Sequence, residues 1–163
     1  MTKNLFLNIG LLCIISLLQI FGLSRLSLFH VSPDGLSIFL AFLAITVGQR
    51  TGMTFGFAAG TITGLLSGNL GLHMLSRTIE GFIAGYFNIP EGSHATANQK
   101  SRRLYFAVAV ATLVGNAVFT AGYNPLGFSP FFRIGVLGLL QALLSLALAF
   151  VVNLLFLKKN LSD

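Results

Sequence analysis

Long uncharged apolar runs restrict the fold of this chain more than any other feature. The run from Leu5 to Leu23 is broken only by Asn8, Ser16 and Gln19. A helix that crosses the hydrocarbon core of a bilayer needs about 20 apolar residues, so the run predicts a membrane span. It is longer than the apolar core of a secretory signal, and no small-residue cleavage site follows it. We therefore expect this segment to remain as a membrane anchor.

Composition supports the same interpretation over the whole chain. The 163 residues are 55% hydrophobic, with a mean hydropathy of +0.85, and only 9% are charged, whereas about 25% are charged in soluble domains. Ten Lys and Arg against four Asp and Glu give a net charge of +6. Because the basic residues flank apolar runs, we interpret them as topology signals and expect no nucleic-acid partner.

The pattern predicts a single all-α integral membrane domain over residues 1–163, built as a bundle of six transmembrane helices. Ser32 with Pro33 and Asp34 predicts the start of the second span, with Ser32 as cap and Pro33 in the first turn. Ser129 and Pro130 repeat this start before the last span. The predicted spans are about 5–24, 35–48, 52–67, 70–87, 104–122 and 130–157.

The basic residues predict an orientation, because cytoplasmic ends of membrane helices are enriched in Lys and Arg. We expect both termini and the polar connection over 88–103 to be cytoplasmic. One face collects Lys3, Arg50, Lys100, Arg102, Arg103, Lys158 and Lys159, and the other only Arg25 and Arg133. Of these, Arg50, Lys100, Arg102 and Arg103 are candidates to meet cytoplasmic partners or anionic lipid; the alternative is that they report topology alone.

Glycine recurs at every fourth position from the end of the second predicted span through the third. This spacing matches the small-residue ridges that let membrane helices approach closely. Two interpretations remain open: the face seats a partner helix, or it packs against other spans of this chain. The glycines concerned are Gly48, Gly52, Gly56, Gly60, Gly64 and Gly68, with Gly81 and Gly85 in the next span.

Three ionisable residues lie on one face of the fourth predicted span. Arg77 and Glu80 are three residues apart and are able to pair, and His73 precedes Arg77 by one turn. Charged groups at this depth are costly and are candidates for function. The alternatives are a purely structural ion pair, an Arg77 side chain that reaches the outer interface, and a His73 that only packs.

The sequence offers little for catalysis. His30, Ser32 and Asp34 alternate along one segment, but no nucleophile-elbow motif accompanies them. His30, His73 and His94 lack metal-ligand spacing. We predict that the protein is not an enzyme and has no catalytic residue, metal or cofactor.

Four short stretches between residues 56 and 86 carry a resemblance to a known family: GFAAG at 56–60, LLSG at 65–68, LGLH at 70–73 and GFIAGY at 81–86. Pro33 with Asp34 at the start of the second span, and Arg50 after it, are similar too. Over residues 33–87 the chain resembles the MreD family of bacterial rod-shape-determining membrane proteins. One departure is Gly64, which stands where the family usually has an aspartate.

The resemblance implies a non-catalytic scaffold of the cell-elongation complex in the bacterial inner membrane. It implies that the chain binds the single-span protein MreC, and that MreB filaments, the glycosyltransferase RodA and its transpeptidase are further members of the complex. Such a scaffold coordinates lateral peptidoglycan synthesis without chemistry of its own.

The MreD family is also similar in fold to the substrate-binding membrane subunits of energy-coupling-factor vitamin transporters. Such a subunit is the alternative function. It would need convergent polar groups in a pocket, and the candidates in this sequence are His73, Arg77, Glu80 and Asn116. The first span lacks the stripe of small residues through which those subunits typically dock a coupling protein.

Overall fold

The regular structure of the protein is helical. The computed structural model describes residues 2–27, 31–90, 96–125 and 127–157. Within these ranges there are six α-helices: α1 (Thr2–Leu17), α2 (Gly35–Thr46), α3 (Gln49–Ser67), α4 (Leu70–Gly85), α5 (Ala97–Gly122) and α6 (Gly138–Val152). Helical turns of other pitch extend α1 through Leu18–Gly22 and Leu23–Arg25, and flank α6 at Phe132–Leu137 and Asn153–Leu157.

Three of the helical segments are long and apolar enough to cross a membrane. They cover Leu5–Arg25, Asn98–Gly122 and Phe132–Leu155 and contain 21, 25 and 24 residues. The remaining helices are shorter: α2 has 12 residues, α3 has 19 and α4 has 16. The prediction of an all-helical chain with membrane-crossing helices is confirmed to this extent.

The start of α5 differs from the sequence prediction. The helix begins at Ala97 and not at 104, because the Thr96 side chain accepts a hydrogen bond from the amide of Gln99 while the Gln99 side chain accepts one from the amide of Thr96. This reciprocal cap is a local start signal within a segment that we interpreted as a polar connection. Lys100, Arg102 and Arg103 therefore lie on the first turns of α5.

The start of α2 also differs in its cap. Asp34, and not Ser32, is the capping residue: its carboxylate accepts the amide of Ser37 at 3.1 Å. A carboxylate at this position satisfies a free helix amide and favours the positive end of the helix dipole. The predicted cap of the last span is confirmed, because Ser129 Oγ accepts the amide of Phe132 at 3.3 Å.

The observed ends of α2, α3 and α4 also differ from the predicted span boundaries. Gly48 has φ +125°, and the chain turns there, so α2 ends at Thr46 and α3 begins at Gln49. Gly68 has φ +84° and ends α3. These backbone angles favour glycine because other residues would be strained. Helix α4 ends at Gly85, two residues before the predicted limit.

Consecutive helices from α2 to α6 run in opposite directions. The start of α3 at Gly52 contacts the end of α4 at Gly81, and Gly64 contacts Leu70. Helix α5 opposes α4 in the same way, since Ser76 Oγ donates to the carbonyl oxygen of Gly115 at 2.9 Å while Arg103 Nη1 donates to that of Asn88 at 3.2 Å.

Helix α6 returns along α5. Asn153 Nδ2, at its end, donates to Tyr105 Oη at 2.8 Å, and Asn116 donates to Gln141 near its start. The starts of α2, α4 and α6 and the ends of α1, α3 and α5 consequently meet at one end of the bundle.

The short helix α2 lies at the centre of the bundle. It contacts α1, α3, α4, α5 and α6, and nine of its residues are buried. Leu36, Leu40 and Leu43 are at most 1% exposed. Close packing against five neighbouring helices holds this helix inside the protein, although its 12 residues are fewer than a membrane-crossing helix usually has.

Apart from Arg77, the basic residues with described side chains divide between the two ends of the bundle. Arg50 begins α3, and the basic residues of α5 lie at the same end. Arg25 and Arg133 lie at the opposite end, where Arg133 Nη1 donates to the carbonyl oxygen of Thr120 at 3.1 Å. The side chains of Lys3, Lys158 and Lys159 lie outside the described residues.

Candidate functional site

The glycine face of α3 packs against α4. A Cβ atom on Gly60 would lie 2.5 Å from the carbonyl oxygen of His73, and one on Gly64 would lie 2.6 Å from Leu70 Cα. Gly56 meets the backbone of Arg77, and Gly52 meets that of Gly81. Real Cβ atoms do not approach other atoms this closely, so any side chain on this face would push the two helices apart.

The other glycines of the pattern have different roles. Gly85 contacts the side chain of Gln49. At Gly48 and Gly68 an added Cβ would meet nothing within 4 Å, because these two residues form turns. The prediction that Gly68 serves helix packing is therefore wrong.

Internal packing is the correct interpretation of the glycine face. The alternative, a partner helix seated on Gly52, Gly56, Gly60 and Gly64, is wrong because α4 already occupies the face through Gly81 and its neighbours. The glycine face is therefore not available to a partner helix.

A buried ion cluster joins α2 to α4. Arg77 Nη1 lies 2.5 Å from Asp34 Oδ2 and 2.8 Å from Glu80 Oε2. Asp34 and Glu80 are 2% and 3% exposed. The predicted pairing of Arg77 with Glu80 is confirmed, and Asp34 is a second partner that sequence reasoning missed.

Hydroxyl groups complete the cluster. Ser37 Oγ donates to Glu80 Oε2 at 2.9 Å and accepts from Arg77 Nη1 at 3.1 Å. Ser145 Oγ of α6 accepts the amide of Asp34 at 2.9 Å. Buried ion pairs offset their desolvation only when such additional hydrogen bonds are present. The cluster thereby connects α2, α4 and α6.

Arg77 does not extend to the end of its helix. Its side chain is 11% exposed, and both carboxylates hold it in the interior. The alternative in which Arg77 reaches the interface is therefore wrong. His73, one turn before it, packs its ring against that of Phe119 with centroids 4.7 Å apart.

A polar cavity of about 410 Å³ lies beside the ion cluster. His73, Arg77 and Glu80, the three residues singled out on α4, all line it. Asn116 lines it as well, so the structure brings together the polar groups that the ligand-binding alternative required. The remaining walls come from Gln19, Ile20, Ser24, Ser32, Asp34, Thr63, Ser67, Ser76, Thr112, Gly115, Phe119 and Gln141.

The cavity occupies one half of the bundle. Gln19 and Ser24 come from the helical turns that extend α1, Thr112 from the second half of α5, and Gln141 from the first turn of α6. This is the end that carries Arg25 and Arg133, opposite the end with most of the described basic residues. A smaller cavity of about 290 Å³ shares Ser32, Asn116, Phe119 and Gln141 as walls and reaches Arg133.

Gln19 ties α1 to the start of α2 at the rim of the cavity. Its amide nitrogen donates to the carbonyl oxygen of Pro33 at 3.1 Å, and its amide oxygen accepts the amide of Gly35 at 2.8 Å. Gln19 interrupts the first apolar run, and that interruption was the available signal for a polar role.

Other residues of the site carried no signal in the sequence. Gly115 matters because a Cβ there would lie 2.5 Å from Glu80 Cδ, so only glycine leaves room for the carboxylate. Thr112 and Gln141 look like ordinary members of apolar helices. The pairing of Asp34 with Arg77 had one indirect signal: only four acidic residues are available in the chain, and a buried arginine needs one.

The departure at Gly64 fits the local packing. The residue lies against Leu70 at the α3–α4 corner, so an aspartate would find no space there.

In the part of the chain that the structure describes, no group of three or more His, Cys, Asp or Glu side chains is arranged to hold a metal.

Comparisons with protein-family models, with curated proteins and with solved structures find no match for this chain.

Proposed function

We propose that this protein is a non-catalytic membrane scaffold of a bacterial cell-elongation complex, similar to the MreD family in fold and role. The observation that carries the proposal is where the MreD-like residues lie. The glycines of 56–60, the LGLH stretch at 70–73 and Gly81 form the contact between α3 and α4, and Asp34 caps α2 and pairs with Arg77. The resemblance thus coincides with the residues on which this bundle depends.

All six helices span the membrane in this proposal. Helix α3 is about 28 Å long at 1.5 Å per residue, close to the 30 Å hydrocarbon core. Helices α2 and α4 are shorter, but α2 is enclosed by its neighbours, and short spans are accommodated by local thinning of the bilayer. The six-helix arrangement supports the further proposal of a fold similar to vitamin-binding transporter subunits.

The basic end faces the cytoplasm in this proposal, and the polar cavity opens toward the outer side. The protein is then a multi-pass protein of the bacterial inner membrane with both termini cytoplasmic. Arg50, Arg102 and Arg103 are exposed and, together with Lys100, are placed to meet anionic lipid or a cytoplasmic partner such as MreB. RodA and its transpeptidase are further candidate members of the complex.

MreC is the proposed helix partner, and it binds the apolar groove between α1 and α3. The groove has a volume of about 590 Å³, and its walls include Leu5, Ile9, Phe57 and Ala58. Thr54, Ala58 and Thr61 place small residues on the α3 wall, and Thr54 and Ala58 have the spacing of four that lets a membrane helix approach closely. In this proposal the groove, and not the glycine face of α3, is the binding site for the partner helix.

Co-purification tests this proposal. The protein should purify with MreC in mild detergent, and Ala58→Phe, which fills the groove, should abolish the complex. Leu143→Phe is the matched control, because Leu143 is 62% exposed on α6 and outside the groove. If the two proteins purify apart, or if both variants retain MreC equally, the proposed partner is wrong.

A second candidate function is the substrate-binding subunit of an energy-coupling-factor vitamin transporter. The polar cavity favours it, since its volume and convergent polar groups are those of a small-molecule site. Thermal unfolding with each water-soluble vitamin separates the two functions, because a ligand that binds only the folded state raises the unfolding temperature. A vitamin that does so reproducibly supports transport, and no shift with any vitamin supports the scaffold.

A further inference from the structure

The polar cavity contains hydrogen-bonding groups that the protein itself leaves unused. Thr112 is 1% exposed, lines the cavity, and its Oγ1 has no hydrogen-bond partner among the described residues. A buried hydroxyl without a partner costs about 1–3 kcal/mol. Ser16 Oγ and Asn153 Oδ1 also lack a partner among the described residues, but of the three residues only Thr112 lines the cavity, where a bound molecule would supply the missing partner.

The ion cluster presents further unused atoms to the same cavity. The hydrogen bonds of Arg77 to described residues all start from Nη1, which leaves Nε and Nη2. Glu80 accepts its hydrogen bonds at Oε2, which leaves Oε1. Gln141 accepts from Asn116 through Oε1, which leaves the Nε2 donor. The residues that line the cavity therefore have both donors and acceptors without partners among the described residues.

The charges of the cluster select against ions. An anion would approach one guanidinium that already serves two carboxylates, and the excess charge of the cluster is negative when both acids are ionised. A cation would compete with Arg77 for Asp34 and Glu80, and Asp34 already accepts from both Ser37 and Arg77. A ligand without net charge uses the remaining donors and acceptors without disturbing the ion pairs.

We propose that the cavity binds a small uncharged molecule that carries hydroxyl and amide groups, the chemistry of an N-acetylated sugar. Hydroxyl and amide groups each donate and accept, as the free atoms of Arg77, Glu80 and Thr112 require. Phe119 supplies an apolar surface for a sugar ring in the same cavity. The volume of about 410 Å³ lies in the range of small-molecule sites.

This inference rests on the proposed placement of the cavity at the outer side of the membrane, and it does not depend on MreC. Co-purification with MreC and binding of a sugar are measured separately, so either proposal is able to fail while the other stands.

The experiment titrates N-acetylglucosamine into the full chain in lipid nanodiscs, with inorganic phosphate and choline as anionic and cationic comparisons. Ligand-observed nuclear magnetic resonance reports binding. The sugar should bind saturably with a Kd in roughly the millimolar range or tighter, and phosphate and choline should not. Thr112→Val should weaken the binding at least fivefold.

The unfolding temperature separates a binding role from a structural one. Thr112→Val removes a hydroxyl that has no partner, so the ligand-free variant should be as stable as the wild type or more stable. Thr46→Val is the matched control, since its hydroxyl donates to the carbonyl oxygen of Phe42 away from the cavity, and it should bind the sugar like the wild type. The proposal is overturned if the sugar does not bind saturably, if an ion binds more tightly, or if Thr112→Val binds it unchanged.

Discussion

Gly60 of α3 lies against the backbone of His73 in α4, so close that a Cβ atom on Gly60 would stand 2.5 Å from the His73 carbonyl oxygen. This contact brings the two helix axes together and fixes the rotation of α4. With that rotation, Arg77 and Glu80 point to α2 and the cavity and not to lipid. The glycine face thus positions the polar face of its neighbour.

Substituting Gly60 with alanine should destabilise the bundle. The new methyl group would meet backbone atoms of His73 and Met74 at 2.5 Å, and backbone cannot move aside as a flexible side chain does. Overpacking of this kind costs about 1–3 kcal/mol, which reversible unfolding in detergent with increasing SDS should detect.

Gly71→Ala is the control for that experiment. Gly71 lies on α4, but a Cβ there would meet nothing within 4 Å, so the substitution should be neutral or stabilising through helix propensity, by up to about 1 kcal/mol. Equal losses for Gly60→Ala and Gly71→Ala would contradict the packing role of the glycine face.

Arg77→Gln should be strongly destabilising, and Asp34→Asn less so. Arg77→Gln leaves the buried carboxylates of Asp34 and Glu80 without a cation, and removing one partner of a buried pair costs about 3–5 kcal/mol. Asp34→Asn breaks one ion pair but leaves Arg77 paired with Glu80, and asparagine still caps α2 by accepting the amide of Ser37. The measurement is the free energy of unfolding of Asp34→Asn, Arg77→Gln and the double variant.

The double variant shows whether the charges are coupled. In an Arg77→Gln background the change Asp34→Asn removes one of two carboxylates that lack a cation, so the double variant should be more stable than the sum of the two losses predicts, with a coupling energy of at least about 1 kcal/mol. Additive losses would show that Asp34 acts only as a helix cap.

Gln19→Leu should loosen the junction between α1 and α2. The variant loses the hydrogen bond that Gln19 donates to the carbonyl oxygen of Pro33 and the one that it accepts from the amide of Gly35, so the amide of Gly35 should exchange its hydrogen faster. Hydrogen exchange followed by mass spectrometry measures this protection. Gln49→Leu is the control, because Gln49 donates to the carbonyl oxygen of Phe82 at the opposite end of the bundle. This change should leave the amide of Gly35 protected. Slow exchange of the Gly35 amide in Gln19→Leu would refute the role of Gln19.

Single cysteines test the proposed orientation. In a Cys13→Ser background, Arg102→Cys should be shielded from a membrane-impermeant maleimide in intact cells, and Arg133→Cys should react. The prediction follows from the excess of basic residues at the Arg102 end. The reverse labelling pattern would invert the topology and place the cavity on the cytoplasmic side.

Local patterns were sufficient for much of the helical architecture. The apolar run from Leu5 predicted the first helix, and Ser129 with Pro130 predicted the last, because hydropathy and capping act within a few residues. The boundary at α5 was wrong because a run of polar residues hid the reciprocal cap between Thr96 and Gln99. Residues 97–103 are helical, although their polar side chains led hydropathy to place them in a connection.

The regular spacing of Gly52, Gly56 and Gly60 indicated a close helix contact, but not which helix would fill it. Asp34 and Arg77 are 43 residues apart, and Thr112 and Gln141 lie on separate helices. Such groups meet only when antiparallel helices have a fixed rotation and offset, and these depend on packing along the whole bundle. Membrane affinity and helix ends thus follow from neighbouring residues, whereas the ion cluster and the cavity exist only in the packed bundle.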